Sequence, residues 1–247
     1  MKAPRLSFGA PMGDQMFHSS VWALTRAQHG VIARRQLLAL GYSEKGIKHR
    51  VGIGRLHPLY RGVYAVGRPE LTQHGRWMAA ILAKGPAAVL SHRSAASLYG
   101  IAKQKGYAIH VAVPIHSRRR SSRGVIVHRR TELRATTRQG VPTTTIEDTL
   151  IDLATELSSD ALVQAINEAD KRDLIDPDAL REAVAEMRRP GAATVRSVTD
   201  GFVRTESSLE RDHAHFLAGL TALRCTHGQV EDDATHVEAL MRRVAAA

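Results

Sequence analysis

Residues 31 to 66, VIARRQLLALGYSEKGIKHRVGIGRLHPLYRGVYAV, constrain the fold more than any other stretch. Leu37, Leu38 and Leu40 give a helix over about 33–40 its apolar face, and Gly41 closes it. Ser43 then caps a second short helix, 44–51, in which Ile47 and Val51 stand one turn apart and can bury together. Gly52 and Gly54 stop that helix. Two extended runs follow, around 55–57 and 60–66, separated by Pro58, and Val63 and Ala65 alternate with Tyr64 and Val66 as a strand requires. An upstream helix over 14–29, capped by Asp14, carries Phe17, Val21 and Leu24 on one face and ends at Gly30. Helix, turn, helix and hairpin in this order predict a winged helix-turn-helix over 14–67.

The polar positions of this segment are mostly basic. On helix 44–51, Lys45, Lys48, His49 and Arg50 can reach base edges or phosphates in a major groove, and Glu44 is the helix's one acid. Arg34, Arg35, Arg55 and Arg61 flank it and suit phosphate contacts, which set register rather than read sequence. The net charge of +11 is segregated along the chain: 24 Lys and Arg face 6 Asp and Glu in residues 1–150, and 11 face 18 thereafter. A basic front on an acidic back points to a polyanionic partner, double-stranded DNA.

The later segments predict an α/β middle region at 68–140 and a helical segment to 200. Helices are expected at 70–83 and, after Ser91, over HRSAASLYG; strands are expected at 87–90, 107–113 and 124–129. Between the last two strands lies HSRRRSSRG. Its Arg118, Arg119, Arg120 and Arg123 fit a second backbone clamp or a minor-groove arm, with a flexible, solvated turn as the equal alternative. Its serines could satisfy phosphate oxygens as well. Pro142 and the following threonines are expected to open a helix, with Thr145 and Asp148 as a capping box. Helices at 158–171 and 177–188 follow, then RRPGAAT as a linker. Residues 205–218, 220–226 and 231–246 read as helix, strand, helix.

Only 4% of residues are aromatic, so the cores must be mainly aliphatic. One cysteine, Cys225, excludes an internal disulfide and reads as a small apolar core residue. No apolar run approaches the roughly 18 residues of a membrane span. The start, MKAPRLSFGAPMGD, lacks the apolar core of a signal peptide, so residues 1–13 are expected to be a loose tail on a cytoplasmic protein. His213 and His215, two apart on an expected helix, do not share a face, and no metal or cofactor is expected.

QHGVIARRQLLALGYSEKGIKHRVGIGRLHPLYRGVYAVG resembles the N-terminal winged domain of AbiEi-type antitoxins. SHRSAASLYGI and VPTTTIEDTLIDLA, with ALVQAINEADKRDLI, are similar to the rest of that group, and the resemblance covers about 20–200. It implies a DNA-binding transcriptional autoregulator of a type IV toxin–antitoxin system, with a nucleotidyltransferase toxin as partner. The acidic helices at 146–188 read as ordinary amphipathic packing or, alternatively, as a face for self-association or a partner protein. RTESSLER and DHAHFLAGLTALRCTHGQVEDDATHVEALMRRV resemble the first and last elements of a restriction-endonuclease-like domain related to very-short-patch repair nucleases. Residues 201–247 are therefore expected to be a degenerate, internally truncated remnant, giving an α+β chain overall. Nucleases of that fold place an Asp on one strand and Glu-x-Lys on the next around Mg²⁺. No Lys here has Asp or Glu two places before it; Glu206, Glu210 and Asp212 are present, but on an expected helix without the two-strand scaffold. A non-enzymatic reading follows, the alternative being a Mg²⁺-dependent endonuclease or an inactive remnant of one.

Overall fold

A computed structural model describes residues 12–104, 106–122 and 124–200, with side chains from residue 19 onward. The expectations for the first eleven residues, for the stripe residue Phe17, for Arg123, and for the remnant at 201–247 with Cys225 lie outside the described residues. Among those described, the elements run α1 (Met12–Ala27), β1 (Val31–Ala33), α2 (Arg34–Ala39), α3 (Glu44–Gly52), β2 (Leu56–Tyr60), β3 (Val63–Val66), α4 (Gln73–Lys84) and β4 (Val89–Leu90). Then come α5 (His92–Tyr99), β5 (Ile109–Pro114), β6 (Val125–Arg130), β7 (Ala135–Arg138), β8 (Val141–Thr144), α6 (Ile146–Leu153), α7 (Ser159–Lys171), α8 (Pro177–Ala185) and α9 (Ala192–Asp200). The class is mixed α and β. The chain divides into two units: Met1–Leu90 with Ala108–Thr143, and Ser91–Tyr107 with Thr144–Ala247.

The first unit holds two sheets. The smaller has the order β1-β3-β2, both pairings antiparallel. Its two faces build two cores. Ile32 joins Val21, Leu37, Ile47 and Leu56 under α1, α2 and α3, while Val31 and Ala33 join Val63, Met78, Ala79 and Leu82 on the α4 side. Alternation along three residues of β1 thus serves both. Pro58, expected between two strands, lies inside β2, where the register shifts between Pro58 and Tyr60. β2 is an edge strand, the position where a missing N–H costs least.

The larger sheet has the order β6-β5-β4-β8-β7. β4 pairs antiparallel with β5 and parallel with β8, and β5 pairs parallel with β6. The expected helix start at Pro142 is corrected: Val141 to Thr144 form strand β8, because a β-branched run prefers the pleated sheet. β7 was not anticipated. It joins β8 through Gln139 and Gly140, both at positive φ (50° and 74°), as a two-residue hairpin turn needs. That turn docks on the smaller sheet's surroundings: the Gln139 carbonyl lies 2.9 Å from His29 Nε2 and its Oε1 lies 2.7 Å from His74 Nε2. On β5 and β6, His110 Nδ1 and His128 Nε2 are 3.1 Å apart with the rings stacked.

The second unit is helical. Leu150, Leu153, Leu162, Ile166, Leu180, Val184 and Val195 form its aliphatic core. Thr145, Ser158 and Asp176 cap α6, α7 and α8 as their spacing requires. The expected linker is instead a packed corner. Gly191, at φ +88°, sits so close to α6 that a Cβ would lie 2.2 Å from the Ile151 carbonyl oxygen, and α9 begins at the next residue. Beside it, Arg189 reaches Asp148 Oδ1 at 2.6 Å and Asp152 Oδ1 at 3.3 Å, while His92 Nδ1 lies 3.1 Å from Asp152 Oδ2. Both carboxylates are buried, so these partners offset the cost of their desolvation.

Two outcomes follow. Arg189→Met leaves buried carboxylates short of a cation and should lower unfolding free energy by about 3 kcal/mol, against well under ~1 kcal/mol for Arg181→Ala in the exposed pair with Asp178; urea unfolding compares them. His128 is pushed down from 6.5 to about 4 by burial, with His110 and Arg130 adding repulsion. Its folded pKa is below its unfolded one, so its contribution is complete above pH 6.5 and is lost as pH falls toward 4. His128→Gln should flatten the fall in stability across that window.

Candidate nucleic-acid interface

α3 is fixed by one buried side chain. Ile47 is 2% exposed, and Ser43 Oγ accepts from the Gly46 N–H at 3.0 Å to start the helix. Lys45, Lys48 and His49 consequently face outward. None of the three has a side-chain partner among the described residues. Arg50 is held differently: its guanidinium stacks over the Tyr42 ring at 4.5 Å and Nη1 donates to the Gly46 carbonyl at 3.3 Å. Glu44, the helix's one acid, pairs with Arg34, so Arg34 is the flanking cation whose charge is already balanced.

The hairpin brings its cations to both flanks of α3. Lys48 and Arg61 line one groove, with Tyr60 and Tyr64 on its wall. Arg50 and Arg55 line another, together with Trp22 and Tyr42. Burial pushes the Tyr60 hydroxyl above its ordinary 10.0, so it stays a neutral donor there.

Arg35 belongs elsewhere. Its Nη1 donates to the Leu82 carbonyl at 2.9 Å, near the end of α4. Two residues on, Lys84 is 8% exposed, and its Nζ donates to the Arg120 carbonyl at 2.9 Å and to Ser122 Oγ at 2.8 Å. Arg35 and Lys84 are both held below their ordinary values by burial first and by nearby Arg119 second. The two basic groups that the sequence separates are thereby joined at the α4 terminus. Lys84 itself was missed, since one lysine in the last turn of a helix reads as an ordinary dipole partner.

The serines of HSRRRSSRG serve the loop itself. Ser117 Oγ accepts from the Arg119 N–H at 3.3 Å, Ser121 Oγ from the Val127 N–H at 3.0 Å, and Ser122 Oγ from Lys84. They are bound within the protein, and Arg118, Arg119 and Arg120 are left exposed.

Residues 86–199 match the family model of the AbiEi antitoxin C-terminal domain. No curated protein matches the chain. Among solved structures, the RV2827C protein from Mycobacterium tuberculosis is similar at 19% identity with a TM-score of 0.44, over 74% of this chain and 77% of that one.

Proposed function

We propose that the chain is a DNA-binding transcriptional autoregulator of the type IV antitoxin kind, whose residues 14–67 act as a winged helix-turn-helix. The observation that carries this reading is α3: anchored by Ile47, with Lys45, Lys48 and His49 unpartnered among the described residues, and flanked by a hairpin bearing Arg61. The element order α1-β1-α2-α3-β2-β3 and the sheet order β1-β3-β2 support it. α3 would enter the major groove. Lys45, Lys48, His49 and Arg50 would meet base edges, and Arg55 and Arg61 would hold phosphates on either side. Tyr42 keeps the Arg50 fork in place, so its donors are pre-oriented at low entropic cost. The family match supports the antitoxin half of the reading. On that reading a nucleotidyltransferase toxin is the partner, and a second copy of the chain a further one. No helix among the described residues is long and apolar enough to cross a membrane.

Lys45→Ala with Lys48→Ala should weaken binding to DNA from upstream of the chain's own gene by roughly 10-fold or more, the worth of one good base contact. Unchanged retardation in a gel would remove α3 from the interface. Plasmid incubated with the protein and Mg²⁺ should stay intact; cutting abolished by EDTA would replace this reading with a nuclease.

A further inference from the structure

We propose that Arg35 and the loop arginines Arg118, Arg119 and Arg120 form a second anion site, set on the end of α4, that takes backbone phosphates of the same duplex. The site rests on the DNA-binding reading of α3 and extends it.

The strand pairing accounts for its shape. β5 and β6 are parallel, with Ile109 opposite Val125 and Pro114 opposite Arg130. The segment 115–124 must therefore run back along the whole strand, ~16 Å at about 3.3 Å per residue. A crossover of this kind is normally longer and helical. Here it is an open strap, and its middle carries the three arginines.

The strap is pinned on the α4 side. Lys84 holds it through the Arg120 carbonyl and Ser122 Oγ, and Ser122 and Val125 exchange backbone bonds at 2.9 Å. Arg35 reaches the same helix end through the Leu82 carbonyl. Lys84 is thus a positioning residue: it touches no ligand, and it fixes where the arginines stand.

The charge balance identifies the ligand. Arg35, Lys84 and Arg119 are close enough for Arg119 to disfavour the charge on the other two. No carboxylate pairs with any of the three among the described residues; the partners of Arg35 and Lys84 are carbonyls and a hydroxyl. Carbonyls orient cations without cancelling their charge. A cluster of like charges left without carboxylate partners is relieved by a polyanion, which is the chemistry of a nucleic-acid backbone.

The experiment measures fluorescence anisotropy with a random-sequence duplex and with DNA from upstream of the gene, over a range of KCl. Each lost phosphate contact removes about 0.9 from the log–log salt slope. Arg35→Ala with Arg119→Ala should therefore flatten the slope by ~1.8 on both duplexes, leaving their affinity ratio unchanged. Lys84→Met, with every arginine present, should flatten it in part; the exposed double variant carries the test should Lys84→Met fail to fold. A slope equal to wild type for the double variant overturns the site while leaving the α3 reading standing. A wild-type protein that binds neither duplex overturns both.

Discussion

Val31, Ile32 and Ala33 are almost fully removed from solvent, and the strand they form is buried on both faces. Ile32 points into the core beneath α1, α2 and α3; its neighbours point into the core that α4 completes. A strand used on both faces cannot shift without disturbing both cores. This couples the cationic helix α3 to the end of α4, and so to the basic loop. The geometry of the candidate interface depends on this small strand more than on any charged residue.

The distribution of acids decides which cations remain available. Glu44 neutralises Arg34, and in the helical unit Asp148 and Asp152 are committed to Arg189 and His92. Around α3 and the loop, cations are held by an aromatic ring, carbonyls and hydroxyls. Such partners fix direction while leaving the net charge in place, which suits long-range attraction of a polyanion.

Much of this was legible in the sequence because local rules and burial agree. Ser43, Gly41 and the Ile47–Val51 spacing place α3 correctly, and Asp176 with Pro177 places the start of α8. The misreadings share a cause. Val141 to Thr144 became a strand because a parallel neighbour, Leu90, was waiting some fifty residues upstream, and no local pattern reports a distant partner. Arg189 and Gly191 read as a linker because their polarity and flexibility suit one; only the fold shows that the arginine meets two carboxylates and that the glycine permits close helix packing. Lys84 and Arg35 could not be grouped with Arg119 for the same reason: three separate elements converge there.

The strap between β5 and β6 has slack. Ten residues can span ~33 Å when extended, about twice the distance to be covered. Its composition is therefore only loosely constrained by the sheet. Related chains could vary the number and spacing of arginines there without altering either strand, so this ribbon is where the footprint on a polyanion can change while the scaffold is conserved.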